Sequence, residues 1–290
     1  METEGNYNRL TAERPAINHF KRFCNGADLD FIDVTIHKLE KFKAYLSSEL
    51  KVTERTKFNY LIVIRTIYIR AIKNDLIDPT FYPFGEHGFK LKRPRSQKLG
   101  LVLEDIKRLE SFETDDEILD HARNVFLFSF YFAGMRASDV LQVKWSDLKN
   151  GRLYYVMSKN KKPGSIKIPE KAKPILDLYK RPGSKKNEYI FPDMSPLLQE
   201  KDPIVFKKYL KVQIARINKA LKTIGNALDF PIKLTMHVAR HSFATISGDK
   251  IPIQRLQELY RHSNITTTIN YMNQFLNKGS DEALDQVLDY

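Results

Sequence analysis

A basic segment without helical periodicity, GFKLKRPRSQKLG at residues 88–100, divides this sequence into two parts. It contains no acidic residue, and its basic residues are Lys90, Lys92, Arg93, Arg95 and Lys98. Like charges in such a block repel one another and keep the backbone extended, and Pro94 cannot continue a helix. We therefore expect two domains, residues 1–87 and 101–290, joined by a linker at residues 88–100. This linker can be solvated or can lie along phosphates, and we favour a linker that does both.

The first part has the apolar spacing of amphipathic helices. In TIHKLEKFKAYL, Leu39 and Phe42 belong to an apolar set at three- and four-residue intervals. Thr53 is suited to cap a second helix, ERTKFNYLIVIRTIYIRAIKNDLI, and prolines at 79 and 83 prevent its continuation. The sequence therefore predicts a helical N-terminal domain.

The second part predicts a larger domain that is mainly α. A long apolar helix is interrupted at Gly134, and another helix begins at Ala137. The runs LYYVM and SIKI, joined by a turn rich in Lys, Gly and Pro, predict a small antiparallel β-hairpin. Further helices follow, and the last of them, SDEALDQVLDY, has an apolar side formed by Ala283, Leu284, Val287 and Leu288.

The composition excludes several classes of protein. The chain of 290 residues has no apolar run long enough to cross a membrane, and its polar N-terminus lacks the apolar core of a signal peptide. A single cysteine, Cys24, excludes an internal disulfide framework and a cysteine-based zinc site. We therefore expect a folded cytoplasmic protein.

The net charge indicates a polyanionic partner. The formal charge is +13 at pH 7, from 48 Lys and Arg against 35 Asp and Glu. A field of this size attracts polyanions, so nucleic acid is the favoured partner and an acidic membrane surface is second. Solubility alone is the third interpretation.

Arg136 lies in GMRASD, at the predicted break between two apolar helices. Its guanidinium presents a fixed fork of donors that suits a phosphate or a carboxylate. The alternative is a buried ion pair with Asp139, three residues later.

A second basic motif, HVARHSF, brings His237, Arg240 and His241 onto neighbouring turns of one helix. The two histidines have the spacing of a zinc pair, but the HExxH glutamate is absent and no acidic residue lies in the motif. We favour an anion site at Arg240 and a core position for His241.

The segment HSNITTTINY contains His262 and Tyr271, and Ser263 or Asn264 can cap the helix that carries Tyr271. In isolation this tyrosine is more typical of a core residue. The turn of the predicted hairpin adds Lys159, Lys161 and Lys162, which are either solvated or available as proton donors to a phosphate ester.

Taken together, these groups suit phosphoryl transfer without a metal. Arginines can hold the non-bridging oxygens and offset charge in the transition state, and tyrosine can attack phosphorus to form a covalent intermediate. A phenol has a pKa of about 10, so its ionisation at pH 7 costs about 4 kcal/mol, which neighbouring cations must largely supply.

The order and spacing of these residues resemble the tyrosine recombinases, also called phage integrases. Arg136, a hairpin lysine, HVARHSF, His262 and Tyr271 follow the order of that family's catalytic groups, and the nine-residue interval between His262 and Tyr271 matches as well. The segments YIFP and HSFAT also fit. The resemblance covers the catalytic domain throughout, and the N-terminal helices look like the family's SAM-like core-binding domain.

The resemblance implies a site-specific DNA recombinase or integrase. Tyr271 would attack the scissile phosphate and leave a 3′-phosphotyrosine and a free 5′-hydroxyl. Arg136 and Arg240 would hold the phosphate, His237 and His262 would assist, and Lys159 would protonate the leaving oxygen. The remaining basic candidates would contact DNA, namely Lys90, Lys92, Arg93, Arg95, Lys98, Lys161 and Lys162.

The resemblance also implies the partners. The protein would act on double-stranded DNA as a homo-tetramer through a Holliday junction, would be a monomer when free, and would need neither metal nor cofactor. We expect a bacterial, nucleoid-associated protein whose C-terminal helix docks on a neighbouring subunit. The alternatives are a relaxing enzyme that resembles type IB topoisomerases and an inactive DNA-binding protein.

Two positions leave questions about this pattern. Arg261 stands before His262 where the family usually has glycine, so a left-handed backbone there would cost roughly 1 kcal/mol unless the turn is rebuilt. Lys161 is the alternative to Lys159 as the proton donor, because the turn is long. The sequence also lacks an obvious N-terminal arm-binding domain.

Overall fold

The computed structural model describes residues 7–94, 99–248 and 250–272. For Tyr7, Asn8, Leu10 and residues 270–272 it describes the backbone but not the side chains. The described chain is mainly helical with one small antiparallel sheet, as the sequence predicts. It divides into two compact units, Met1–Ser96 and Gln97–Tyr290.

The described part of the N-terminal unit contains three α-helices, α1 (Tyr7–Phe23), α2 (Ile36–Ser48) and α3 (Glu54–Lys73). The hydroxyl of Thr35 accepts the amide of Lys38 at the start of α2. Thr53 caps α3 as predicted, because its hydroxyl accepts the amide of Thr56. The core is aromatic-rich and is formed by the following buried residues: Val34, Leu39, Phe42, Leu46, Leu61, Ile64, Tyr68, Phe84 and Phe89.

The two ends of the predicted linker are packed. Phe89 is buried in the N-terminal core and forms a β-bridge with Phe84. Gly100 lies against α9 (Met236–Ser247) in the C-terminal unit, where a Cβ would come within 2.7 Å of the backbone at His241 and Ser242. Lys92 and Arg93, between these ends, are exposed. Arg95 and Lys98 lie outside the described residues.

The C-terminal unit is built around a long apolar helix. Besides α9, its helices are α4 (Leu103–Glu110), α5 (Glu117–Tyr131), α6 (Ala137–Val140), α7 (Lys173–Tyr179), α8 (Pro203–Ala227), α10 (Ile253–Tyr260) and α11 (Ile265–Met272). Helix α5 lies at the centre and packs against α8 and α9. Its residues Val125, Phe126 and Phe128 have no exposed surface, so this helix forms the centre of the core against which α9 packs.

The predicted break between the first two apolar helices is confirmed. Helix α5 ends at Tyr131, and Ala133 and Gly134 both adopt positive φ, at 55° and 64°. This left-handed pair reverses the chain, so that α6 begins directly after Arg136.

The sheet consists of β1 (Leu148–Lys149), β2 (Arg152–Val156) and β3 (Pro163–Lys167), in that order and antiparallel. The predicted hairpin corresponds to β2 and β3, with Tyr155 opposite Gly164. The sequence did not indicate β1, because two residues are too short to show a strand period.

Among the described residues, no helix is both long and apolar enough to cross a membrane. The predicted C-terminal amphipathic helix, with Ala283, Leu284, Val287 and Leu288, lies outside the described residues.

Candidate active site

Arg240 forms the buried centre of the site. Its side chain projects from α9 and only 2% of its surface is exposed. One terminal nitrogen, Nη1, donates to the carbonyl of Gly134 at 3.0 Å, and Nη2 lies 3.4 Å from the carbonyl of Tyr260. A charge buried this deeply must be hydrogen-bonded, and these carbonyls hold the guanidinium in one orientation.

Tyr260 supports Arg240 from below. The guanidinium carbon lies 3.6 Å from the centre of the Tyr260 ring, which is fully buried at the end of α10. The Tyr260 hydroxyl in turn donates to the backbone carbonyl of Arg240. A desolvated cation over an aromatic face is attracted by about 2 kcal/mol, so this pair stabilises both the charge and its position.

Gly134 joins the two arginine motifs. At its φ of +64°, a Cβ would lie 2.6 Å from Cα of Arg240, closer than carbon atoms can pack. Only glycine permits this approach, which brings the loop that carries Arg136 onto α9.

Arg136 is half-buried and points toward the root of the hairpin. Its Nη1 lies 3.2 Å from Sδ of Met157, the residue after β2. Asp139, the alternative ion partner, uses Oδ1 to accept the amide of Ser158 at 2.9 Å, also in the hairpin turn. The motif GMRASD therefore contacts both α9 and the hairpin.

His262 lies beside the buried arginine. Its Nε2 is 3.2 Å from Nη2 of Arg240, and its Nδ1 is 3.0 Å from the hydroxyl of Thr268 on α11. Because a guanidinium nitrogen is always a donor, Nε2 accepts a hydrogen bond from Arg240. The imidazole proton is therefore on Nδ1, which donates a hydrogen bond to the Thr268 hydroxyl. The arrangement fixes one tautomer and one orientation of the imidazole.

The histidines of α9 differ in exposure. His237 is exposed one turn before Arg240, whereas His241 is buried, in agreement with its predicted core position. Their rings meet edge to face with centroids 4.5 Å apart. In the described chain, no three His, Cys, Asp or Glu side chains gather as a metal site would require.

The lysines of the hairpin turn lie in different environments. Lys159 and Lys161 are exposed, and Lys161 adopts a left-handed φ of 55°. Lys162 donates from Nζ to the hydroxyl of Ser263, at 3.2 Å, next to His262. The turn therefore lies against the loop between α10 and α11, with Lys159 and Lys161 both at its surface.

Arg261, which stands where the family usually has glycine, adopts a left-handed backbone. It ends α10 with φ 51° and ψ 38°, so the turn is not rebuilt, and the arginine bears a strain of about 1 kcal/mol. Its side chain crosses to the hairpin and stacks on Tyr155, with the guanidinium carbon 4.1 Å from the ring centre.

Tyr155 lies near several charged groups of the site. Burial raises the pKa of its hydroxyl, and the positive charges of Arg261, Arg240 and Arg136 oppose that shift. All three arginines are therefore close enough to act electrostatically on one phenol in β2.

Helix α11 carries Tyr271 near its C-terminal end. Asn264 caps this helix, because its Oδ1 accepts the amide of Thr266 at 2.8 Å, as one of the two predicted caps. The backbone of Tyr271 is helical, and its side chain lies outside the described part of the structure. Helix α11 packs against α9 and α10, the helices that carry Arg240 and Tyr260.

Four residues of the site were not singled out in the sequence, namely Tyr155, Tyr260, Thr268 and, as a contact with the hairpin, Arg261. The threonine run was visible, but three adjacent hydroxyls gave no sign of which one faces inward. Thr268 is fully buried, whereas Thr266 and Thr267 are exposed.

Known proteins match both units. Residues 103–277 match the model of the phage integrase family, and residues 1–91 match a phage integrase SAM-like domain. The tyrosine recombinase XerC of Leptospira interrogans is 24% identical over 282 residues, which cover 94% of this chain and 86% of that protein. The tyrosine recombinase XerA of Thermococcus kodakarensis is 28% identical over 198 residues, 66% of this chain and 65% of the relative.

Solved structures share the fold at low identity. The Tn1549 transposon integrase in complex with transposon right end DNA has a TM-score of 0.69 at 15% identity, over 93% of this chain and 91% of that one. The XerH site-specific recombinase bound to a palindromic difH substrate has a TM-score of 0.68 at 17% identity, over 95% and 79%. A lambda integrase tetramer bound to a Holliday junction has a TM-score of 0.65 at 16% identity, over 92% and 72%. On the extent of the family match, this chain belongs to the phage integrase family, the tyrosine recombinases.

Proposed function

We propose that this protein is a site-specific DNA recombinase that cuts and rejoins DNA strands through a 3′-phosphotyrosine at Tyr271. The observation that carries the proposal is the buried Arg240, which is hydrogen-bonded to the Arg136 loop and to His262, the residue nine positions before Tyr271. An arginine held this rigidly is suited to a phosphodiester, because little reorganisation is needed when charge develops on it.

In the proposed reaction the phenolic oxygen of Tyr271 bonds to the scissile phosphorus while the bond from phosphorus to O5′ breaks. Arg136 and Arg240 bind the non-bridging oxygens and offset their charge in the transition state. One phosphodiester bond is replaced by another of similar energy, so the bond energy is kept for rejoining and ATP is not consumed.

The histidines act beside the arginines. His262 presents a fixed Nε2 toward the site because Thr268 holds its Nδ1, and His237 is exposed one turn before Arg240. Both assist by hydrogen bonding around the phosphate, and one of the two imidazoles accepts the proton that the Tyr271 phenol loses when its oxygen bonds to phosphorus. The proton that the leaving O5′ requires comes from Lys159, and Lys161 is the alternative donor.

The substrate is double-stranded DNA, bound mainly through its phosphates by a chain of net charge +13. The XerH and lambda integrase structures named above are complexes with a difH substrate and with a Holliday junction. We propose the corresponding assembly here, a homo-tetramer on two duplexes, formed from monomers in a bacterial cytoplasm at the nucleoid. The domain boundaries at residues 87 and 101 remain part of this proposal.

The deciding experiment is adduct formation on a nicked suicide substrate, in which the cleaved strand is lost and the covalent complex accumulates. The substrates are fragments of the DNA that flanks the gene, cleaved first to map the site. The wild-type chain should form a covalent protein–DNA adduct, and Tyr271→Phe should form none while its affinity for the same DNA is unchanged.

The matched control is Tyr154→Phe, which removes the hydroxyl of a tyrosine that is 44% exposed on β2. It should form the adduct at the wild-type rate. An adduct that survives Tyr271→Phe would refute the assignment of the nucleophile. Unchanged cleavage by Arg136→Ala would show that the arginine pair does not act on the phosphate.

A further inference from the structure

We propose that Arg261 is a positioning residue that fixes the turn between β2 and β3, and with it Lys159, relative to the loop that carries His262. The chemical consequence rests on the proposed function, whereas the mechanical part rests only on contacts within the C-terminal unit.

The backbone at Arg261 is in a conformation that glycine would adopt without strain. Its φ of 51° lies in the left-handed region, where a side chain is disfavoured. Strained residues persist when surrounding contacts hold them in place, so contacts of the arginine side chain must offset this strain.

The side chain of Arg261 contacts both sides of the hairpin. Nη1 of Arg261 donates to the carbonyl of Tyr155 in β2 at 3.2 Å and to the carbonyl of Lys162, just before β3, at 3.0 Å. The same guanidinium lies over the Tyr155 ring. One planar group thus bridges the two chain segments that enter and leave the turn.

Gly164 leaves the space that this guanidinium fills. A Cβ at Gly164 would lie 2.7 Å from Cζ, Nε and Nη2 of Arg261. Since Gly164 is directly opposite Tyr155 in the sheet, the hairpin contacts the guanidinium from both strands.

The turn also contacts the loop in the opposite direction. Nδ2 of Asn160 donates to the carbonyl of Arg261 at 3.1 Å, and Nζ of Lys162 donates to Ser263 at 3.2 Å. The first bond holds Asn160, the residue after Lys159. Together the two bonds hold Arg261 and Ser263, the residues before and after His262. Because Lys159 has a long, flexible side chain, the position of its turn sets where its amine can reach.

The first test measures the turn directly and needs no activity. Arg261→Gly and Arg261→Asn both tolerate a left-handed backbone, so a change in either variant reports the removal of the side chain and not the strain. In both, amide hydrogen exchange of residues 157–162 in the full chain should become about thirty-fold faster, as expected for the loss of two hydrogen bonds to backbone carbonyls.

The matched control is Arg255→Ala, which removes an arginine that is 70% exposed on the same helix and paired with Glu258. It should leave exchange of residues 157–162 unchanged. Unchanged exchange in Arg261→Gly would overturn the proposal whatever the protein does to DNA.

The second test separates the proton donor from the rest of the site. A suicide substrate with sulfur in place of O5′ releases a thiolate, which needs no proton because thiols have a pKa of about 8.5. Arg261→Gly should cleave the oxygen substrate about ten-fold or more slowly than wild type and the sulfur substrate at the wild-type rate. Lys159→Ala should show the same pattern, and Arg136→Ala should be slow on both.

The outcomes are distinguishable. Equal slowing of Arg261→Gly on both substrates would overturn the proposal, because the defect would then lie outside the proton donor. A wild-type rate of cleavage of the oxygen substrate by Arg261→Lys would also overturn the proposal, since a lysine keeps the charge but not the planar fork. If Lys159→Ala were slow on both substrates, the assignment of Lys159 would fail, and the exchange measurement would still decide the role of Arg261.

Discussion

The carbonyl of Gly134 accepts a hydrogen bond from Nη1 of Arg240 at 3.0 Å, across 106 residues of sequence. At the same position a Cβ would collide with the backbone of Arg240. The loop that carries the first arginine of the site is therefore in direct contact with the second, and each is placed by the other.

This contact predicts a large effect of Gly134→Ala. The left-handed backbone and the collision with Arg240 together should lower the free energy of unfolding by about 2 to 4 kcal/mol. Adduct formation under conditions where the variant is folded should also fall by about ten-fold or more, because Arg240 must shift. The measurements are denaturant unfolding and cleavage of the suicide substrate.

Gly151→Ala is the matched control for that change. Gly151 also has positive φ, at 70°, but nothing lies within 4 Å of the Cβ that alanine would add. Its free energy of unfolding should fall by only about 1 kcal/mol. Equal losses in the two variants would show that the contact with Arg240 contributes nothing.

The stack of Arg240 on Tyr260 can be divided into its hydroxyl and its ring. Tyr260→Phe keeps the ring and removes the hydroxyl with its hydrogen bond to the Arg240 carbonyl, which should cost about 1 kcal/mol of stability. Tyr260→Leu also removes the aromatic face, so the guanidinium loses an attraction of about 2 kcal/mol and its fixed position. Cleavage should therefore fall much further with Leu than with Phe. Equal cleavage rates would contradict a role for the ring.

The buried threonine of α11 should control the imidazole of His262. In Thr268→Val the shape is kept, but Nδ1 loses this acceptor, so the imidazole is held less firmly in its orientation. We expect adduct formation to fall by about five-fold, the equivalent of one hydrogen bond, with unchanged affinity for DNA. The control is Thr267→Val, an exposed neighbour that should leave the rate unchanged.

Tyr68 should lower the stability of the protein at alkaline pH. Burial, with a contribution from Asp33, raises the pKa of its hydroxyl from 10.0 to about 12. The folded state therefore holds this proton more tightly than the unfolded state. The corresponding stability is fully present below pH 10 and is lost as the pH rises through 12, by about 2 to 3 kcal/mol.

The comparison that isolates this effect is Tyr68→Phe. Near pH 8 the wild type should be more stable, because its hydroxyl donates to the Phe31 carbonyl. Between pH 10 and 12 this advantage should shrink and reverse. The measurement is the difference in unfolding free energy of the two proteins across that range, and a constant difference would refute the prediction.

The exposed cations of the basic segment should contribute to binding through counterion release. Replacing Lys92 or Arg93 with alanine should make the slope of log affinity against log salt shallower by about 0.9 for each phosphate that is no longer neutralised. Lys173→Ala is the control, because this exposed lysine is paired with Glu170 at 2.8 Å. A slope that does not change in either linker variant would show that these residues do not neutralise phosphates.

The sequence by itself determined the local elements and the inventory of chemical groups. Thr53, the break at Gly134 and the hairpin were predictable because caps, left-handed turns and strand periods depend on residues a few positions apart. The presence of Arg136, Arg240, His262 and Tyr271 likewise indicates phosphoryl transfer from the sequence, and their order carries the resemblance to the family.

Only the tertiary structure decided how these groups are held. The packing of α10 against α9 buries Tyr260 beneath Arg240, and the packing of α11 selects Thr268 from three adjacent threonines. The contact of Arg261 with Tyr155 spans 106 residues, as does that of Arg240 with Gly134. Local periodicity carries no information on such pairs, because they form only when distant segments pack together. For this reason the substitution of glycine by Arg261 could be read from the sequence as a strain, whereas its contact with the hairpin could not.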